Sequence, residues 1–192
     1  MNVYQDITLL PDSETNLGFL WHKVYSQVHL ALVTANRQEK HHALAFPMYG
    51  DKAFPMGNKL RVFAKTEQDM QLFDLNKWLQ RLHDYCHISS VKLVPDNHGH
   101  VNYRRKQFKS NGLRLARRRA LRKNESLEQA LSHYGDFKDQ KTRLPYVRLK
   151  SLSCGSDDGF NLYIEGSKAE QAVIGGFSCY GLSSAATVPD FE

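Results

Sequence analysis

Apolar positions along the chain change period several times, and each change marks an element. From residue 3 to 9 they alternate, with Val3, Ile7 and Leu9 on one period-2 face, and Pro11-Asp12-Ser13 closes the run; this predicts a strand. From Leu17 to about Val33 the period becomes helical. Leu20, Val24, Val28, Ala31 and Leu32 form an apolar stripe, and His22 and His29, seven residues apart, share a face that flanks it. His42 to Met48 and Lys59 to Ala64 (KLRVFA) predict two strands joined by a loop rich in Gly, Asp and Pro. Thr66-Glu67-Gln68-Asp69 resembles a capping box and opens a second helical region, whose later part carries Leu75, Trp78, Leu79, Leu82 and Tyr85 at helical spacing. Ile88 to Val94 predicts another strand, stopped by Pro95-Asp96-Asn97.

The order strand, helix, strand, strand, helix, strand is that of the split βαβ, or ferredoxin-like, fold. It predicts an α+β protein with a ferredoxin-like domain over residues 1–95. Residues 96–192 form a second half, in which Ser126-Leu127-Glu128-Gln129 caps a short helix running to His133. Strands are predicted at Pro145 to Leu149, Phe160 to Ile164 and Ala172 to Leu182. Such folds host RNA-recognition modules, but a fold does not decide a function.

Charge changes the picture most in Tyr103 to Lys123, YRRKQFKSNGLRLARRRALRK. This stretch holds 10 of the chain's 26 Lys and Arg residues and no acid. Ser110-Asn111-Gly112 is a turn or cap signal, and Leu113 to Lys123 reads as a helix. Arg114, Arg118 and Arg122 recur at i, i+4, i+8 and Arg117 joins their face, while Leu113, Ala116, Ala120 and Leu121 lie toward the other side. Like charges at this spacing repel, so a counter-charge from outside the helix is expected. Arginine forks match phosphate oxygens two at a time, which points to a nucleic-acid backbone. The alternative is a solvated basic face.

The whole chain carries a net charge of +6, consistent with a polyanionic partner, and its apolar runs fall far short of a membrane span. MNVYQDITLL lacks the pattern of a signal peptide, and Cys86, Cys154 and Cys179 show no CxxC spacing; both features predict a cytoplasmic protein with unpaired thiols. His98-x-His100 and His41-His42 are the tight histidine pairs, without a carboxylate or cysteine cluster at ligand spacing, so neither a metal nor another cofactor is expected. Nine histidines, several hydroxyls and an arginine helix suit one reaction well. RNA carries its own nucleophile, the 2′-OH, and needs from a protein a base, in-line positioning and cations for the phosphate. Histidine, with a pKa near neutrality, can be that base.

Several stretches together resemble one family. They are Val28-His29-Leu30-Ala31-Leu32-Val33, Ala45-Phe46-Pro47, Lys109-Ser110-Asn111 leading into Arg117-Arg118-Arg119, Leu144-Pro145-Tyr146-Val147, Phe160-Asn161-Leu162-Tyr163-Ile164, and the run Gly175-Gly176-Phe177-Ser178-Cys179-Tyr180-Gly181-Leu182-Ser183. The pattern, which extends over essentially the whole chain, is similar to that of the endoribonucleases that process CRISPR repeat transcripts in type I-F systems. The chain departs from it at Cys154, where a threonine is expected, and in a longer loop before Phe160 that holds Asp157-Asp158.

The resemblance implies that His29 is the catalytic histidine, that Ser151 holds the attacking 2′-OH, and that Tyr180 orients the histidine. It implies that the arginine helix, with Lys109, Arg114, Arg117, Arg118, Arg119, Arg122 and Lys123, docks in the major groove of the repeat hairpin. Arg105 and Gln107 would read bases at the foot of the stem, and Phe160 would stack on a base beside the scissile phosphate. It further implies metal-independent cleavage to a 2′,3′-cyclic phosphate and a 5′-OH, retention of the hairpin product, and partnership with the other subunits of the type I-F surveillance complex. Two other readings stay open on the residues alone. One is a non-catalytic RNA-hairpin-binding subunit of a guide-RNA complex. The other is a DNA-binding regulator, which the absence of a helix-turn-helix signal disfavours.

Overall fold

The computed structural model describes residues 1–36, 42–108, 112–135, 142–150 and 159–192. It is an α+β protein whose strand ladders are antiparallel. The chain divides into two compact units: Met1–Arg105 with Leu144–Glu192, and Lys106–Arg143.

The larger unit holds two sheets and the long helix α1 (Leu17–Asn36). In the first sheet, β1 (Val3–Leu9) is paired on one side with β3 (Lys59–Ala64), from Val3 opposite Ala64 to Thr8 opposite Lys59. β2 (Ala43–Ala45) continues beyond β3, and β4 (Cys86–Ile88) lies on the other side of β1, giving the order β2-β3-β1-β4. β1 buries Val3, Gln5, Ile7 and Leu9 in strict alternation. The second sheet has the order β7-β8-β6-β9, from β6 (Gly99–Lys106), β7 (Tyr146–Lys150), β8 (Gly159–Ala169) and β9 (Val188–Asp190). α1 starts where Asn16 Oδ1 accepts the Phe19 amide at 3.0 Å, and it packs against both β1 and β7. Its buried stripe is wider than the sequence pattern, because Trp21 and Tyr25 are also fully enclosed; Trp21 Nε1 donates to Gly57 O at 2.8 Å.

The structure corrects several sequence expectations. The strand expected over His42 to Met48 is only three residues long, and turn residues follow from Pro47. The second helical region is broken. α2 (Glu67–Phe73), capped by Thr66, ends at Asp74, whose φ of 47° is left-handed; the Asp74 side chain then caps α3 (Leu75–Trp78). Gln80–Tyr85 continues as a 3₁₀ helix, for which the three-residue steps from Leu79 to Leu82 to Tyr85 are the native period. The strand expected at Ile88 to Val94 is interrupted: β4 stops at Ile88, and β5 (Lys92–Leu93) resumes pairing with β1. Ser89 fills the gap, its hydroxyl accepting the Asp6 amide at 3.0 Å.

Ala172 to Leu182 forms no strand, and Ile174 in it is fully exposed. β6 and β9, by contrast, were hidden from the pattern. Within β6 only Val101, Asn102 and Tyr103 are buried among polar and basic residues, and β9 contains Pro189, which an edge strand tolerates. Arg61 of β3 is 2% exposed rather than at the surface. Its guanidinium grips both Asp6 oxygens, at 2.7 and 3.0 Å, and donates to Phe191 O at 2.8 Å, between the rings of Tyr4 and Phe191. A buried cation held by a bidentate carboxylate and a carbonyl has its donors satisfied.

The smaller unit is a helix pair. α4 (Gly112–Lys123) ends at Asn124, with φ 52°, and the Glu125 amide reaches back to Ala120 O at 3.2 Å, the bond of a Schellman cap. α5 (Leu127–Ser132) opens on a complete capping box between Ser126 and Gln129. The helices meet through Ala116 and Ala130, both fully buried. Leu121, expected on the apolar back, is 87% exposed.

Candidate active site

Four chain segments bring the predicted His29, Tyr180, Phe160 and Arg105 together. α1 supplies His29, β8 supplies Phe160, and Arg105 lies near the end of β6. Tyr180 comes from a tight turn over Ser178–Leu182, in which the Ser178 amide donates to Leu182 O and the Gly181 amide to Ser178 O, both at 2.8 Å. The turn is anchored to the rest of the unit twice. The Leu44 amide donates to Gly181 O at 2.9 Å, and the Tyr25 hydroxyl donates to Tyr180 O at 2.9 Å. Tyr25 is wholly buried, and that burial, reinforced by nearby Tyr180 and Cys179, pushes its phenol far above the usual range, so it remains a neutral donor.

Gly181 is required by this turn. Its φ is +69°, and a Cβ there would stand 2.4 Å from Leu44 Cγ. Gly181→Ala is therefore expected to destabilise the fold by at least about 2 kcal/mol, the sum of left-handed strain and overpacking. Urea unfolding measures this; an unchanged midpoint would contradict the tight packing.

His29 Nδ1 lies 2.8 Å from Cys179 O. A carbonyl can only accept, so the bonded nitrogen carries the proton and Nε2 keeps its lone pair. The ring stacks on Tyr180, with centroids 4.6 Å apart and planes within 8°. Burial depresses the His29 pKa below 6.5, partly offset by the carbonyl, which favours the charged ring. The result is an imidazole that is neutral at pH 7, fixed in one tautomer and held by a stacked ring: the arrangement of a general base.

Arg105 is exposed on its strand, and its guanidinium carbon lies 5.0 Å from the Tyr180 ring centre and 5.3 Å from that of Phe160. The two rings meet edge to face at 6.3 Å. A cation and two aromatic faces beside a neutral histidine can receive a phosphate and an unstacked base.

Gln107, Arg114, Arg117, Arg118, Arg119, Arg122 and Lys123 belong to the smaller unit. Arg114, Arg117, Arg118 and Arg122 are exposed on α4. The helix is not free of acid partners, however: Arg119 Nε donates to Glu125 Oε1 at 2.5 Å, and its Nη2 lies 3.0 Å from His133 Nε2. The acid comes from beyond the turn at Asn124, where linear spacing along the helix does not reach. Ser151 and Lys109, as well as Cys154 and the Asp157-Asp158 loop, lie outside the described residues. Sequence reading missed Tyr25 and the backbone carbonyl of Cys179. Tyr25 stands four residues before His29, a spacing that places two helical side chains side by side, and was the available signal.

A family model described as "CRISPR-associated protein (Cas_Csy4)" matches residues 4–191. The chain is 34% identical over 192 residues to a protein of Escherichia coli (strain UTI89 / UPEC) named "CRISPR-associated endonuclease Cas6/Csy4". It is 33% identical over 192 residues to a protein of the same name from Pseudomonas aeruginosa (strain UCBPP-PA14), and both alignments cover 100% of each chain. A solved structure described as "Characterization of a Cas6-related gene from Pyrococcus furiosus" aligns over 98% of each chain with a TM-score of 0.36 and 9% identity, too distant to carry an argument.

Proposed function

Since the chain belongs to the type I-F Cas6/Csy4 family of CRISPR-associated endonucleases, we propose that it cuts CRISPR repeat RNA at the base of a hairpin by attack of the RNA's own 2′-OH. The observation that carries this reading is His29, with Nδ1 tied to Cys179 O, its ring stacked on Tyr180 and its pKa lowered. In this reading His29 Nε2 takes the proton of the 2′-OH, the oxygen attacks the adjacent phosphorus in line, and the P–O5′ bond breaks; the 5′-oxygen takes a proton from water and His29 returns its own to solvent. The products are a 2′,3′-cyclic phosphate and a 5′-OH, and no metal ion takes part. Ser151 holds the attacking hydroxyl, Tyr180 orients His29, and Phe160 stacks on the base next to the cut.

The N-terminal part, residues 1–95, is read as a ferredoxin-like domain on the strength of its strand order β2-β3-β1-β4 and the helices between its strands. Residues 96–192 are the RNA-binding half, in which Arg105 and Gln107 meet the foot of the stem. Lys109, Arg114, Arg117, Arg118, Arg119, Arg122 and Lys123 meet the rest of the stem and its phosphates. The protein keeps the hairpin product and joins the other subunits of a crRNA-guided complex in the cytoplasm. The testing experiment is incubation of the protein with its own repeat RNA in EDTA, followed by end-group analysis. Cleavage to a cyclic phosphate is expected; no cleavage without added Mg²⁺ would overturn the reading.

Phosphate contacts make affinity fall with salt. Arg118→Ala is expected to weaken hairpin binding and to reduce the slope of log affinity against log salt by about 0.7–0.9. Replacing Arg114, Arg118 and Arg122 together without changing affinity or slope would remove α4 from the interface. At the active site, Tyr25→Phe deletes one hydroxyl and leaves Tyr180 O without its donor. Small misplacements are costly in catalysis, so kcat is expected to fall about 10-fold with hairpin Kd unchanged. Equal kcat would show that the 178–182 turn holds His29 without Tyr25.

A further inference from the structure

Nearer the start of α1 than His29, the larger unit carries a concave feature that the cleavage reading does not use. It is a cleft of about 730 Å³ between α1 and the α3–3₁₀ segment. Its apolar walls are Phe19, Leu20, Trp78, Leu82 and Tyr85. Phe19 is 51% exposed, unusual for a phenylalanine on a helix with a full buried stripe. Lys23, Lys77 and Arg81 line the same cleft, and none of the described residues lining it is acidic. Lys23 Nζ sits 5.1 Å from the Phe19 ring centre, so the ammonium and the aromatic face are adjacent in the cleft.

We propose that this cleft is a docking site for an acidic segment of a partner protein, which inserts a bulky apolar side chain between Phe19, Trp78 and Tyr85 while its carboxylates meet Lys23, Lys77 and Arg81. Its size and apolar lining with a few fixed polar groups are those of a pocket that encloses one ligand group. Aromatic walls surrounded by cations give the apolar centre and charged rim of a protein interface. Beside the three aromatic rings, Leu20 and Leu82 give the cleft aliphatic walls suited to a bulky apolar side chain. Gln27 of the lining lies on the flank of α1 opposite His29, a 200° turn at about 100° per residue, and no described residue of the His29 site lines the cleft, so an occupant leaves the active site open. The inference does not depend on the cleavage reading, because the two sites share no residue.

The test is selection of random dodecamers displayed on phage against the intact protein. Sequences with Asp or Glu flanking Trp, Phe or Leu are expected to be enriched. Synthetic copies should bind the wild type and bind both Phe19→Ala and the double variant Lys77→Glu/Arg81→Glu at least ~10-fold more weakly. Both variants should melt and cleave repeat RNA like the wild type, which keeps a failure to fold distinct from a loss of docking. Enrichment of basic or purely polar sequences would overturn the proposal, as would peptides indifferent to both variants. Displacement of the peptides by a single-stranded RNA oligonucleotide would assign the cleft to nucleic acid and overturn it equally. A wild type that binds the peptides but fails to cut repeat RNA would leave docking standing and refute the nuclease reading alone.

Discussion

His29→Ala is expected to bind the repeat hairpin nearly as tightly as the wild type and to cleave it at least ~100-fold more slowly, the scale of losing a general base. The two effects separate because His29 is a small, half-buried contributor to any RNA surface, while the exposed arginines of α4 supply the charge that holds a phosphate backbone. The sign of the pH dependence follows from the lowered pKa. His29 acts as a base only when neutral, so kcat/KM, which reports the free enzyme, should rise with pH through the His29 pKa and then level off. Burial is the larger influence on that pKa and the Cys179 carbonyl the smaller, opposing one, so the midpoint of the rise should lie below 6.5. Near-normal cleavage by His29→Ala, or an acid limb centred well above 6.5, would take His29 out of the role of base.

The place of His29 on the flank of a helix's apolar stripe was legible in the sequence, its role only through the family resemblance; α4 was legible too, since its four-residue arginine repeat needs no tertiary information. Tyr180 was expected beside His29 from the family resemblance, but the polar groups that hold the pair were not legible. Cys179 contributes a backbone carbonyl, which leaves no mark on residue type, and Tyr25 contributes a hydroxyl from a position that looks like ordinary core. β6 was obscured because its alternation rests on Val101 and Tyr103 amid the charges that drew attention to the basic stretch. The Gly175 to Ser183 run was distinctive as a motif and misleading as structure. It forms no strand, and its glycine at 181 serves a left-handed turn that presents Tyr180 to His29. Arg61 shows the same limit in the core, since its burial depends on Asp6 and Phe191, distant in the chain.

The second large effect concerns the nucleophile and is the most direct test of the whole account. If the 2′-OH attacks, deleting that single oxygen removes the nucleophile, while a hairpin held mainly through its stem keeps its affinity. A repeat RNA with one 2′-deoxy nucleotide immediately upstream of the scissile phosphate should bind like the unmodified RNA, remain uncut with or without EDTA, and competitively inhibit cleavage of the normal substrate. The measurement is a single-turnover cleavage assay of both RNAs in EDTA, run beside a binding titration. The account predicts tight binding and no product from the deoxy RNA, and cleavage of the unmodified RNA. Product from the deoxy RNA, or cleavage of the unmodified RNA only when Mg²⁺ is restored, would contradict it.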